Sequence, residues 1–115
     1  AAELYRRGFS VGMTIGNAKA VDLFAEKDGT VYQLQVKTIR SKKSTGWPMM
    51  RENIKSDVVY ILVNLNDLEQ PTYYIMKPEE IIPKIQQYTN RGILQYRRVM
   101  SEEFAGRWDR IGNEI

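Results

Sequence analysis

The sequence predicts an α/β fold in which helices flank a central mixed sheet, and three observations support this prediction. Asp28 and Gly29 separate two apolar-rich runs, and this dipeptide supplies the positive φ values that a two-residue hairpin turn requires. Residues 58–63 are nearly all apolar, which is typical of a central strand buried on both faces. Residues 77–80 place a proline and two acids where a helix begins. Together these signals indicate a layered α/β domain.

The N-terminal part of the chain is predicted to be mostly strand. Residues 1–8 form the end of a helix that stops at Gly8, and residues 9–15 form the first strand. The two strands of the hairpin follow at about residues 20–27 and 30–40.

The rest of the chain is predicted to mix strands and helices. Residues 41–56 form an ordered loop, because the proline in their Gly-Trp-Pro sequence cannot continue a strand. Residues 73–76 form a further strand, and residues 80–88 form a helix whose apolar stripe packs on the sheet. Residues 93–99 form a short edge strand, and residues 101–111 form a last amphipathic helix.

The composition excludes several kinds of chemistry. The 115 residues suffice for a single domain, residues 1–115, with one core. The chain contains neither Cys nor His, which excludes disulfides, zinc sites, thiol nucleophiles and imidazole bases. No apolar run approaches the length of about 20 residues that crosses a bilayer, and no signal-peptide core is present. We therefore expect a cytoplasmic protein without a membrane partner or a small-molecule cofactor.

The hairpin turn determines which residues oppose each other. Counting back from the Asp-Gly turn pairs Asp22 with Gln35, and it places Lys37 two residues further along the second strand. Because side chains alternate along a strand, these three share one face, where opposed Cβ atoms lie about 4.5–5.5 Å apart. The opposite face is uniformly apolar and consists of Val21, Leu23, Ala25, Tyr32, Leu34 and Val36.

The three converging side chains have the chemistry that phosphodiester hydrolysis needs. Asp22 supplies the carboxylate that Mg²⁺ prefers, Gln35 supplies an amide oxygen, and the carbonyl of Val36 could be a third ligand. The ammonium of Lys37 could contact the attacking water or the scissile phosphate. Glu3, brought over from the first helix, could hold a metal-bound water.

A helical Glu3, a strand Asp22 and a Gln-x-Lys sequence on the next strand together resemble the PD-(D/E)xK nuclease superfamily. Restriction-type endonucleases, junction resolvases and repair nucleases belong to it, and the chain is also similar to small bacterial endonuclease-like proteins. The resemblance covers roughly the first two-thirds of the chain. It implies a restriction endonuclease-like αβββαβ core and hydrolysis of DNA by a metal-activated water, with Mg²⁺ as the cofactor and Mn²⁺ as a substitute. It also implies that Asp22 is the principal metal ligand, that Gln35 replaces the second acidic ligand, that Lys37 is the catalytic lysine and that Glu3 is the helix-borne acid.

The chain departs from the family pattern in three places. Ala20 and Val21 precede Asp22 where the name of the motif has a proline. Gln35 is neutral, and affinity for a hard cation falls with the charge of its ligands. Residues 41–56 lack the helix that is often found between the third and fourth core strands.

The basic stretch over residues 37–55 is the predicted contact surface for DNA. It contains six cations and one acid, and its charge would attract phosphates. The alternative is a solvated basic loop without a partner. The predicted nucleic-acid contacts are Arg40, Lys42, Lys43, Trp47 and Arg51.

The leading hypothesis is therefore a Mg²⁺-dependent DNA endonuclease. Cleavage of both strands by one small site needs two copies, which favours a homodimer. One alternative is a catalytically inactive module that keeps the nuclease fold and binds nucleic acid. Another is a protein-interaction domain whose tyrosines and tryptophans form the interface.

Overall fold

The computed structural model describes residues 2–17, 20–40, 46–67, 69–100 and 103–113. Its side-chain descriptions leave out residues 2, 5, 13–17, 20–22, 112 and 113. The strands are β1 Ser10–Asn17, β2 Ala20–Lys27, β3 Thr30–Ile39, β4 Gly46–Pro48, β5 Val58–Asn64, β6 Thr72–Met76, β7 Ile85–Gln87 and β8 Gly92–Gln95. The α-helices are α1 Ala2–Arg6, α2 Pro78–Ile81 and α3 Arg110–Asn113, and single 3₁₀ turns lie at Arg51–Asn53, Ile82–Lys84 and Tyr96–Arg98.

The strands form two sheets. The larger has the order β1-β2-β3-β5-β6 and is mixed, because β3 and β5 run parallel while its other neighbours are antiparallel. The smaller is antiparallel with the order β4-β8-β7. A mixed sheet in an α/β domain was expected and is confirmed, although strands dominate the described chain and its helices are short.

The predicted hairpin is present with the predicted register. Asp28 and Gly29 have φ values of 53° and 82°, which is the pattern of a turn with two left-handed central residues. The strands lie at 20–27 and 30–39, and Asp22 is paired with Gln35. The turn and the side-chain alternation therefore sufficed to place this part of the chain.

Each face of the larger sheet carries its own core. The helix-face core contains Leu4 of α1 together with Leu23, Leu34, Ile61 and Trp108. The small-sheet core lies on the opposite face, beneath the smaller sheet. It contains Trp47, Tyr60, Leu62, Tyr74 and Leu94 among its larger members. Strand β5 contributes to both cores, so the prediction of a strand buried on both faces is confirmed, with β3 rather than β5 in the middle of the sheet.

Two predicted elements in the middle of the chain differ in the structure. The helix expected over residues 80–88 ends at Ile81, and residues 85–87 instead form β7. Pro83 has no N–H to donate within a helix, and pairing with β8 buries Ile85. Part of the loop expected over residues 41–56 is β4, an edge strand that tolerates its proline.

The C-terminal predictions also need correction. The strand expected as an edge over residues 93–99 is β8, which lies between β4 and β7 and ends at Gln95. Of the helix expected over residues 101–111, only the end is helical, as the start of α3, and residues 101 and 102 lie outside the described chain. Residues 103–109 are not helical, because Ala105 forms a β-bridge with Tyr74 and Gly106 has a φ of 64°. No helix within the described ranges is both long enough and apolar enough to cross a membrane.

Candidate functional site on the polar sheet face

The registers of the larger sheet align four residues in one row. Thr14 of β1 is paired with Asp22, Asp22 with Gln35, and Gln35 with Tyr60 of β5. Paired residues and alternate residues of a strand share a face of a sheet, and Tyr60 belongs to the small-sheet core, so Gln35 and Lys37 lie on the face toward that core. The backbone thus places Asp22 beside Gln35 as predicted, while the Asp22 side chain lies outside the described residues.

Gln35 and Lys37 line one pocket of about 280 Å³. Both side chains are half-buried there. The rest of the lining comes from the chain on either side of the first 3₁₀ turn and from the start of β8: Pro48, Met49, Met50, Asn53, Ile54, Asn90, Arg91 and Gly92. The structure therefore brings two of the predicted site residues together in a cavity.

Glycine at position 92 allows the pocket wall to form. A Cβ atom on Gly92 would lie 2.3 Å from the carbonyl oxygen of Met49, a distance that no side chain tolerates. The Met49 N–H donates to the Gly92 carbonyl at 3.0 Å, which ties the two walls together. The close backbone approach thus depends on the absence of a side chain.

Tyr60 supports the other wall of the pocket. Its ring is fully buried beside Gln35, and its hydroxyl accepts a hydrogen bond from the Lys55 N–H at 3.0 Å. This bond holds the segment that contains Asn53 and Ile54 against the sheet. The pocket is therefore framed by buried structure on both sides.

Glu3 is not brought to this pocket. Its carboxylate binds Arg7 Nε at 2.8 Å and Arg6 Nη1 at 3.3 Å, within its own helical segment. Leu4 belongs to the helix-face core, on the opposite side of the sheet from Gln35. The Arg7 carbonyl accepts a bond from Lys27 Nζ, five residues along β2 from Asp22, a distance of about 17 Å along a strand. The expectation that Glu3 joins the site is not met, because packing of Leu4 directs α1 to the other face.

Val36 is enclosed by neighbouring strands. It is paired with Val21 of β2 on one side and with Ile61 of β5 on the other, and its side chain packs against the helix-face core. Its carbonyl therefore faces the backbone of a neighbouring strand. If one lone pair of the oxygen accepts a hydrogen bond there, only the second lone pair is left to bind a metal.

The prediction that Trp47 contacts nucleic acid is wrong. Its side chain is 1% exposed, and its indole N–H donates to the Val63 carbonyl at 3.3 Å. Its ring packs against Tyr74 and Tyr96 at centroid distances of 6.1 and 5.9 Å. Trp47 is a core residue because its apolar ring fills the space between the two sheets.

The other predicted DNA contacts fall in different places. Arg40 is exposed, with its Nε 4.0 Å from an Asp67 oxygen, at the end of β3. Arg51 lines a separate depression beyond the 3₁₀ turn that it begins. Lys42 and Lys43 lie outside the described residues.

Sequence reasoning missed the residues that complete the pocket. Asn53, Asn90 and Arg91 come from segments remote from the hairpin, and they reach it only because β8 pairs with β4. Arg91 also lies over the ring of Tyr88, with its guanidinium carbon 5.6 Å from the ring centre. No local motif marks these positions.

The donor set suits a cation that keeps much of its own hydration. Among the side chains that the structure describes, no group of three or more His, Cys, Asp or Glu is placed to hold a metal. Asp22 and Gln35 together would offer one carboxylate and one neutral oxygen. Mg²⁺ fits such a set, since it is usually held by one or two carboxylates and retains several waters.

No family profile, curated protein or solved structure matches this chain.

Proposed function

We propose that this protein is a Mg²⁺-dependent endonuclease that hydrolyses phosphodiester bonds of DNA. The observation that carries the proposal is the register of the hairpin. It sets Asp22 beside Gln35, and Gln35 and Lys37 line a common pocket. This is the order and spacing that the PD-(D/E)xK resemblance implies, and it would use the αβββαβ core of that superfamily.

Asp22 and Gln35 would hold the cation. When bound there, Mg²⁺ supplies charge stabilisation for the phosphate as negative charge develops on its oxygens. The neutral amide of Gln35 leaves the pair with a single negative charge, so affinity for the cation is modest. Both residues lie on interior strands of the five-stranded sheet, so neighbouring strands on both sides hold their backbones in place.

The remaining pocket residues would bind and orient the phosphate. Lys37 carries three N–H donors and a positive charge on the same face as Gln35. Arg91 adds a planar guanidinium that can bind two phosphate oxygens at once. Asn53 and Asn90 add neutral amides that donate without changing the charge.

The assay is cleavage of supercoiled and branched DNA in the presence of Mg²⁺ or Mn²⁺. Asp22→Asn and Lys37→Met should each lower the cleavage rate at least about 100-fold, which is the usual loss when a group that stabilises the transition state is removed. Asp28→Asn is the matched control for Asp22→Asn, because it makes the same chemical change at the hairpin tip. Asn tolerates the φ of 53° at this position. Lys27→Met controls for Lys37→Met in the same way. Equal activity in all five proteins would reject the site.

The neutral ligand at position 35 favours one second candidate, a module that keeps the fold and binds nucleic acid or a protein partner without cutting. This candidate predicts salt-sensitive DNA binding that EDTA leaves unchanged, with no cleavage in either metal. The non-cutting module would be excluded if the unaltered protein cleaves DNA, EDTA abolishes the cleavage, and Asp22→Asn does not cleave.

A further inference from the structure

Three depressions on the surface of the protein adjoin one another. The pocket of Gln35 and Lys37 shares Pro48, Arg91 and Gly92 with a neighbour of about 380 Å³. That neighbour shares Gln95 with a third depression of about 710 Å³, which is lined by three arginines and several glutamines. We call the three together the basic track.

The track crosses the outer face of the smaller sheet. Ile93 of β8 is paired with Pro48 on one side and with Gln86 on the other. The next residue, Leu94, is fully buried in the small-sheet core, so alternation turns Ile93 outward. The track therefore leads away from Lys37 across three strands to the β7 edge.

The lining of the track is strongly positive. Its five charged residues are all cations, whereas the whole chain has 17 basic and 14 acidic residues. The five are Lys37, Arg51, Arg91, Arg97 and Arg98. Glu52 is an acid that lies beside the track, and its carboxylate accepts a bond from Gln87 Nε2 at 3.0 Å.

The arginines divide into two groups by their partners. Five of the nine arginines in the sequence form ion pairs with carboxylates within the described chain: Arg6, Arg7, Arg40, Arg107 and Arg110. The other four all line the track, and their contacts among the described residues are neutral. Among the described residues no carboxylate is paired with these four guanidinium groups, and their concentration on one surface favours a polyanion.

Neutral acceptors hold the track arginines in place. Arg51 donates from Nη2 to the Ile85 carbonyl at 2.7 Å and from Nε to the Ile82 carbonyl at 3.3 Å. Arg98 donates from Nη1 to the Lys84 carbonyl at 3.0 Å. A guanidinium has five N–H donors, so each retains donors for a phosphate after these bonds are made. Holding the side chains in advance lowers the entropy lost on binding.

The middle of the track offers a surface for a base. The Tyr88 side chain is 51% exposed, with Arg91 stacked over its ring, and Ile93 lies in the same depression. Gln95 donates to Gln86 Oε1 at 2.7 Å and accepts from Arg97 Nε at 3.1 Å, which orients both amides. Exposed aromatic rings beside a positive groove are how single-stranded nucleic acid is bound without sequence preference.

We propose that the basic track binds a single strand of nucleic acid and leads it to the pocket of Gln35 and Lys37. Arg51, Arg97 and Arg98 contact its phosphates, and a base stacks on Tyr88. The delivery of a strand to the pocket rests on the proposed nuclease function, whereas binding to the track does not.

The test is fluorescence anisotropy with a labelled oligothymidylate in EDTA, so that no cleavage occurs. The double variant Arg97→Gln, Arg98→Gln should bind about tenfold more weakly than the unaltered protein. Its slope of log affinity against log salt should be smaller by about 1.4, since each single-strand phosphate contact contributes about 0.7. Tyr88→Ala should weaken binding about fivefold or more with little change in that slope.

The matched control is the double variant Arg6→Gln, Arg107→Gln, which lowers the net charge by the same amount at two carboxylate-paired positions. Equal weakening by both doubles would overturn the proposal, because affinity would then follow net charge alone. The proposal would also be overturned if all variants bound the oligonucleotide with the same affinity, or if the protein bound a duplex more tightly than the single strand. Circular dichroism melts of each variant establish that it is folded.

Measuring binding and cleavage separately distinguishes this inference from the nuclease proposal. Oligothymidylate binding in EDTA reports on the track alone, because no cleavage occurs under that condition. Oligothymidylate binding without any cleavage would refute the nuclease proposal and leave the track proposal in place. Cleavage together with unchanged binding by the Arg97→Gln, Arg98→Gln double variant would refute the track and leave the nuclease.

Discussion

Replacing Gly92 with alanine should be strongly destabilising, because β8 and the Met49 segment meet backbone to backbone at this point. The new Cβ atom would lie 2.3 Å from the Met49 carbonyl oxygen and 3.3 Å from Ile85 Cγ2. The first of these contacts cannot be relieved by a rotamer change, since the oxygen belongs to the backbone. The variant can fold only if β8 and the Met49 segment move apart.

The cost of that movement can be worked from the contacts that it breaks. Overpacking a close contact costs about 1–3 kcal/mol. Loss of the 3.0 Å bond from the Met49 N–H to the Gly92 carbonyl adds about 1 kcal/mol. The expected loss is thus about 2–4 kcal/mol, out of a total of roughly 6–17 kcal/mol for a chain of this length. At about 4 °C for each kcal/mol, Tm should fall by about 8–16 °C.

The assay is thermal unfolding followed by circular dichroism, with urea titration to give the free energy of unfolding. Gly12→Ala is the matched control, because a Cβ atom on Gly12 of β1 would meet nothing within 4 Å. It should be neutral or stabilise by up to about 1 kcal/mol. A Gly92→Ala protein that melts within about 3 °C of the unaltered one would refute the close approach, and with it the wall of the pocket.

Three further predictions concern the site and the small-sheet core. Burial, followed by the 3.0 Å hydrogen bond to Tyr96, raises the pKa of the Tyr74 hydroxyl above its usual value. The stability that this contributes is complete below the unfolded-state pKa of about 10 and is lost as pH rises through the folded-state pKa. In the unaltered protein, the urea concentration at the midpoint of unfolding should fall as pH rises above about 10. Tyr74→Phe should make this fall less steep, and an unchanged fall would contradict the prediction. Gln35→Glu should bind Mg²⁺ at least about tenfold more tightly by isothermal titration, since it restores a charged ligand; absence of heat in both proteins would argue against a cation there. Trp47→Phe should cost about 2–3 kcal/mol in urea while leaving oligothymidylate affinity within about twofold, because Trp47 is buried. A loss of affinity without a loss of stability would restore Trp47 as a nucleic-acid contact.

The hairpin could be predicted from the sequence because its determinants are local. The turn conformation depends on Asp28 and Gly29 alone, and alternation then assigns every side chain to a face. The same reasoning placed β5 inside the sheet, since an apolar run of this length has to be buried on both faces.

The smaller sheet could not be predicted in this way. Its strands have only three or four residues, and β4 pairs with a strand more than 40 residues later. The spacing of Ile81 and Ile85 fits one continuous helix as well as it fits α2 followed by β7. In the structure Ile85 pairs with Leu94, and this pairing makes the segment a strand. Trp47 could not be assigned to the core until this sheet was seen to cover it.

The candidate site divides along the same line. The order of the residues alone predicted the register that pairs Asp22 with Gln35 and that places Lys37 two residues further along the same strand, because strands joined by a two-residue turn have one register. Only the tertiary structure decided that Arg91, Asn53 and Asn90 close the pocket and that α1 carries Glu3 to the other side. It also decided that four arginines, whose contacts among the described residues are neutral, form a track. These outcomes depend on packing between segments far apart in the chain, where the free energy comes from burial of surfaces that no short stretch of sequence contains.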